Sequence, residues 1–251
     1  MNTLATSAIV FVCVFGGAVL GFGLRVVLPE DHLSTASRDL VKLGMGTIAT
    51  MTALVLGLLV ASAKNSYDTQ SRELTEMSAK VILLDRVLSH YGPEAKEARD
   101  LLQAVVARFI ERTWPKEMSG HSMPEPTAPH AEPLYDKIQE LVPTNDMQRG
   151  LQNRALNIAV DIGQMRWLMV EQGYSLVSMP LLVVVVFSLA ITFISFGLHA
   201  APNGTILVTF FLSSLSVSGV IYLILEMYSP FGGLIRISSA PLRAALGYLG
   251  Q

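Results

Sequence analysis

The sequence predicts an all-α integral membrane protein, with four transmembrane helices and a cytoplasmic helical domain inserted between helices two and three. Three observations predict it. Four apolar runs, Leu4–Leu24, Leu43–Ala63, Pro180–Leu198 and Thr205–Glu226, each come close to the about 20 residues that a bilayer-crossing helix needs. Charge gathers between the second and third runs, where apolar side chains recur at steps of three and four. Only 15% of the 251 residues are charged, at a mean hydropathy of +0.46, whereas soluble domains carry about 25%. The chain therefore divides into residues 1–63, 64–178, 179–227 and a membrane-proximal tail, 228–251.

The first run has no Lys or Arg in Met1–Ala8 and is longer than a signal-peptide core, so it reads as a retained helix. Gly17 and Gly21 lie four apart on it, the spacing at which small residues let a second helix approach. Its one cysteine, Cys13, allows no intrachain disulfide and no CxxC motif. Pro29-Glu30-Asp31-His32 reads as a turn, and Ser34–Lys42 as a short interfacial helix.

The second run organises the chain. From Gly44 to His90 one helix starts in lipid and ends in water, because no Gly or Pro interrupts Lys64–His90. Gly46, Thr50, Ala53 and Gly57, with Thr47 beside them, form a face of small or weakly polar side chains. Such a face serves tight helix packing or lines a narrow water path. Further on, Leu74, Met77, Val81, Leu84 and Leu88 form a core-facing stripe.

Gly92-Pro93 ends that helix. A second amphipathic helix follows over Glu94–Trp114, with Leu101, Leu102, Val105, Phe109 and Ile110 on its apolar face. Residues 115–133 carry five prolines and read as a loop. A short helix spans Leu134–Leu141. Asp146 is the expected N-cap of a long helix whose stripe is Met147, Leu151, Ala155, Ile158, Ile162, Met165 and Met169. This stripe and the Leu74–Leu88 stripe are expected to cover each other.

Ala201-Pro202-Asn203-Gly204 joins runs three and four as an antiparallel pair. Run four is rich in hydroxyls, and Ser214, Ser218, Tyr222 and Glu226 follow at steps of four. Glu226 is the one charge inside a run. Near the end of a helix it can reach headgroup water; deeper, an intramembrane carboxylate marks a functional site. The tail, Ser229–Ile235 with Pro241–Leu249, is expected to lie on the membrane or on a neighbouring subunit.

With four crossings, both termini and the middle segment share one side. Fifteen Lys and Arg lie there, 13 in the segment plus Arg236 and Arg243, against Arg25, Arg38 and Lys42 on the other. Near the spans the same bias holds, which places the middle segment and both termini in the cytoplasm.

A net charge of −2 excludes the basic face of a nucleic-acid binder. The five histidines are scattered; His121 and His130 share the Pro-rich loop without ligand partners at metal-site spacing. No phosphate loop, dinucleotide fingerprint or nucleophile elbow occurs. No catalytic residue, cofactor or metal is therefore expected, and the chain does not read as an enzyme.

Two blocks carry a resemblance. One is Gly57-Leu58-Leu59-Val60-Ala61-Ser62-Ala63 followed by Tyr67-Asp68. The other is Leu223-Ile224-Leu225-Glu226, then Ser229-Pro230-Phe231-Gly232-Gly233-Leu234-Ile235-Arg236-Ile237-Ser238 and Pro241-Leu242. With them the chain resembles the bestrophin-like domain family of bacterial membrane proteins, over nearly its whole length. The resemblance implies an inner-membrane homo-oligomer. It would have five subunits if the arrangement of bestrophins proper, pentameric anion channels, carries over. Neither an aromatic and proline neck motif nor an acidic calcium clasp is present.

Two functions follow as expectations. One is an oligomeric channel for small ions, with Gly46, Thr47, Thr50 and Gly57 lining the pore. The other is a non-conducting scaffold or sensor whose cytoplasmic helices bind a partner protein.

Overall fold

A computed structural model describes residues 2–27, 35–114, 132–173, 179–200 and 203–250. Their regular structure is all helical, with no strand among the described residues: α1 (Thr3–Val27), α2 (Thr35–Tyr91), α3 (Lys96–Thr113), α4 (Glu132–Gln139), α5 (Asp146–Gly173), α6 (Met179–His199), α7 (Gly204–Met227) and α8 (Ala240–Tyr248). The Pro29–His32 turn, most of the 115–133 loop, His121 and His130 lie outside the described residues. Four helices, α1, α2, α6 and α7, are long and apolar enough to cross a membrane.

The chain forms two compact units, residues 1–65 with 176–228, and residues 66–175 with 229–251. α2 contributes to both. Its 57 residues form one continuous helix about 85 Å long at ~1.5 Å per residue. It begins at Thr35, so the stretch read as a separate interfacial helix is its first turns. Nothing between Thr35 and Gly44 breaks a helix, and Gly92, at φ 129, ends it in a conformation that side chains disfavour.

In the apolar unit α1 lies along α6 and α7. Val10, Val14 and Ala18 of α1 are buried with Leu182 and Phe193 of α6 and Ile221 and Leu225 of α7. Leu59 and Ala63 of α2 pack on Val185 of α6 and Ile224 of α7. Arg25, in the last turn of α1, donates to the Ala200 carbonyl.

In the second unit the expected stripes meet. Leu74, Met77, Val81, Leu84 and Leu88 of α2 share one core with Leu102, Val106 and Ile110 of α3, and with Ala155, Ile158 and Met169 of α5. Met147 departs from its stripe and is exposed, at the first turn of α5 where no neighbour covers it. The cap of α5 is also displaced by one residue. Asn145 Oδ1, not the Asp146 carboxylate, accepts from the Gln148 amide at 2.8 Å, and Gln148 Oε1 reaches back to the Thr144 amide at 2.8 Å. Both residue types cap well, so the backbone turn at Thr144–Asn145 decides which one does.

The tail packs inside this unit. Ile237, Leu242, Ala245 and Leu249 are buried in its core. Trp114 Nε1 donates to the Ile237 carbonyl at 2.8 Å, its ring meets Phe231 edge-on at 5.6 Å, and the Tyr67 hydroxyl donates to the Arg236 carbonyl at 3.3 Å. Within its own chain the tail thus has a seat on α2 and α3. The tail's apolar side chains find a larger dry surface there than its own short length can provide.

Ion pairs tie the helices together. Arg99 of α3 holds Asp85 of α2 through two bonds of 2.7 and 3.0 Å, and Lys137 of α4 meets Glu97 of α3 at 2.7 Å. Lys80 of α2 donates to Asp161 of α5 at 2.8 Å. That hydrogen bond, followed by attraction to Asp161 and Glu76, raises the Lys80 ammonium above its ordinary 10.5 against the opposing effect of burial. A folded pKa above the unfolded one stabilises fully below the unfolded value, and the gain is lost as pH rises through the folded value. Lys80→Met should therefore lower the thermal midpoint by an amount that stays constant from about pH 6 to about pH 9 and shrinks only in strong alkali. Thermal unfolding of both proteins across that range measures it.

Candidate functional site

The apolar part of α2 uses one edge for packing. Thr52, Leu59 and Ala63 are buried, with Leu56 partly covered between them. At 100° per residue these four positions share one face. Gly46, Thr50 and Gly57 stand about 140° around the helix from it. All three are exposed, as is Thr47. A Cβ built on Gly46 or Gly57 would meet nothing within 4 Å. The face is therefore left open by the chain's own helices.

Its two threonines donate to their own helix, Thr47 to the Leu43 carbonyl at 3.1 Å and Thr50 to the Gly46 carbonyl at 2.8 Å. No charged side chain occurs from Leu43 to Ala63. The face thus offers small, uncharged surface and hydroxyl groups. A hydroxyl can turn its proton or its lone pairs outward and so has no fixed preference for the sign of an ion.

The hydroxyl ladder of α7 points elsewhere. Ser214 and Ser218 are buried, and Ser218 Oγ donates to the Ser7 carbonyl of α1 at 2.6 Å. Ser7 Oγ in turn donates to the Thr3 carbonyl at 2.9 Å, and Thr3 Oγ1 donates to Glu226 Oε1 at 2.9 Å. This face joins two helices within the apolar unit and is not open. Ser214 Oγ has no hydrogen-bond partner among the described residues.

Glu226 does not extend into open solvent within this unit; it is 2% exposed. Tyr222, one turn earlier, is a second hydrogen-bonding neighbour. The carboxylate also lies at the first turn of α1. Unpaired amides and the positive end of the helix dipole favour a negative charge there. Thr3 and Ser7, four residues apart at the start of α1, are the partners that sequence reading left out. Their hydroxyl side chains were visible in the sequence, but not that the two faces would meet.

Gly17 and Gly21 lie against α6. A Cβ on Gly17 would sit 3.0 Å from the Ala190 carbonyl oxygen. One on Gly21 would sit 2.2 Å from that of Ile194, and one on Gly197 of α6 would sit 2.2 Å from that of Ala18. Gly197 is the second residue missed. It is a glycine within an apolar run, where glycine is common and no short-range pattern sets it apart.

No curated protein matches the chain, and no solved structure matches it. The family model described as the Bestrophin-like domain matches residues 12–242. That match takes in the open face of α2, the hydroxyl ladder of α7 with Glu226, and the tail as far as Leu242. The chain belongs to the bestrophin-like domain family.

Proposed function

We propose that the protein is an oligomeric membrane channel that conducts small ions, anions among them, across the bacterial inner membrane. The observation that carries this reading is the open small-residue face of α2. Copies arranged around a symmetry axis can each contribute one such face to a central path. Gly46 and Gly57 keep that path wide. Thr47 and Thr50 supply hydroxyl groups that replace part of an ion's water shell, so selectivity depends on diameter and hydroxyl dipoles, with no ring of charge. Both termini and the amphipathic unit face the cytoplasm in this arrangement, as the Lys and Arg bias near the apolar helices supports.

Purified protein in liposomes is expected to release trapped chloride under an imposed potential. Thr50→Trp, on an exposed position away from the packed edge, should reduce that flux by about tenfold or more through steric occlusion. Its thermal midpoint should change little, because none of the described residues covers the site. Flux no greater than that of empty liposomes at every voltage and pH would refute conduction. The non-conducting scaffold, with its helical unit binding a soluble partner, would then take its place.

A further inference from the structure

α5 has two faces. One carries the stripe buried in the core of the second unit. The other lies about 150° around the helix. It carries Gly150, Asn153, Asn157, Val160, Gln164 and Trp167 at alternating steps of three and four, all exposed. That is the spacing of a coiled-coil seam, with Gly150, Asn157 and Gln164 at one position of the heptad and Asn153, Val160 and Trp167 at the other.

The exposed face of α3 is charged, as a face turned to water ordinarily is: six of its eight exposed residues are Lys, Arg, Asp or Glu. Of the seven exposed residues from Asn153 to Leu168 on α5, only Arg154 is charged, and it stands at the edge. Asp161, the one acid in that stretch, is held by Lys80 at 2.8 Å. Val160, Trp167 and Leu168 are 43, 54 and 51% exposed. Interface cores are poor in Lys, Asp and Glu and rich in Trp. Arg166 lies over the Trp167 ring at 5.6 Å, which fixes the ring before a partner arrives and lowers the cost of ordering it.

The chemistry of the seam selects its partner. Copies arranged around an axis normal to a bilayer all point the same way, so parallel α5 helices bring each seam residue opposite itself. A charge there repels its own copy. An amide does not, because its NH2 group donates while its oxygen accepts, and Asn157 can bond the same amide of the next copy. An Asn in a seam also fixes register, at some loss of stability. Glycine, amides, valine and tryptophan therefore make a face that complements itself, which a partner of different sequence would not require.

We propose that the 150–167 face of α5 is a docking surface for a second copy of this chain, forming a parallel seam between the helical units of neighbouring copies. The proposal rests on the assembly of like-oriented copies in the reading above, and not on conduction.

The test is crosslinking of the full-length protein in native membranes, in a Cys13→Ala background so that each variant carries a single thiol. Under mild oxidation Asn157→Cys and Gln164→Cys should form disulfide-linked dimers, and Gln103→Cys, on the charged face of α3, should not. Benzophenone maleimide attached to Asn157→Cys should give a dimer in which mass spectrometry joins residue 157 to α5 of the second copy. Gln164→Glu sets like charges against each other and should lower disulfide formation at Asn157→Cys by about tenfold or more. Its thermal midpoint should stay unchanged, because position 164 is exposed. Crosslinking as strong at Gln103→Cys, or unaffected by Gln164→Glu, would overturn the proposal. Benzophenone adducts only on residues 115–131 of the same chain, or only on another protein, would also overturn it, since that segment or protein would then be the occupant. No crosslinks at either seam position, in a detergent-solubilised particle with the mass of several copies, would overturn the seam and leave the channel reading standing. A particle with the mass of one chain would overturn both.

Discussion

Gly21→Ala is expected to destabilise the apolar unit by about 3 kcal/mol or more, at the upper end of what an added methyl costs in a packed interior. The added Cβ would stand 2.2 Å from the Ile194 carbonyl oxygen, 2.8 Å from the Leu198 amide nitrogen and 2.9 Å from the Gly197 Cα. All three are backbone atoms, so no side chain can rotate away, and α6 must retreat from α1. Retreat forfeits the close contacts along both helices. In lipid those contacts are the main source of helix association, because lipid tails cover an apolar side chain as well as a neighbouring helix does.

Nearby positions grade the effect. Gly197→Ala should be as severe, since its Cβ would lie 2.2 Å from the Ala18 carbonyl oxygen. Gly17→Ala should be milder, with contacts of 3.0 and 3.3 Å. Gly16→Ala and Gly23→Ala meet nothing within 4 Å and should be neutral or slightly stabilising, as alanine favours a helix. Thermal midpoints of the five detergent-solubilised variants would establish the order. A Gly21→Ala protein as stable as Gly16→Ala would mean that α1 and α6 do not meet at these residues.

Arg99→Leu should cost the second unit about 3–5 kcal/mol and lower its thermal midpoint by about 10 °C. The Asp85 side chain is 3% exposed, and the Arg99 guanidinium bonds both of its oxygens, at 2.7 and 3.0 Å. The same contact holds the guanidinium above its ordinary value, with the Asp85 hydrogen bond as the largest cause. Removing the arginine leaves a carboxylate in the core with no counter-charge and no access to water. Most of the loss comes from that stranded group and little from the pair itself. The double variant Asp85→Leu, Arg99→Leu should therefore recover much of the stability lost in Arg99→Leu. Unfolding of all three proteins measures the coupling. A double variant as unstable as the single one would show that the pair itself, and not the stranded charge, is what matters.

The two units differ in how far they can be read from the chain. Run lengths located α1, α6 and α7 to within three residues at each end, because an apolar stretch of that length has few other stable forms. The stripe from Leu74 to Leu88 was legible for a similar reason. A 3.6-residue period within one segment is a local property, and all five of its residues are buried. The bestrophin-like motif was also legible, since the tail residues Ser229–Ser238 stand together in sequence.

What covers a given face was not legible. The ladder from Ser214 to Glu226 suits a water path as well as a helix contact. The distant Thr3 and Ser7 decide between them by bonding Glu226 and the Ser218 hydroxyl. The tail suits several apolar surfaces, and Trp114 selects one by holding the Ile237 carbonyl. Gly21 finds its counterpart 176 positions away, at Gly197.

Composition and period alone thus determined where most of the helices lie and which of them are apolar enough for a bilayer, since each of these depends on neighbours within a few turns. Tertiary structure alone decided that the carboxylate is enclosed, that the tail joins the second unit's core, and that the Gly46–Gly57 face of α2 stays open. Those outcomes depend on contacts between residues far apart in the chain, and no local pattern encodes which distant partner will arrive.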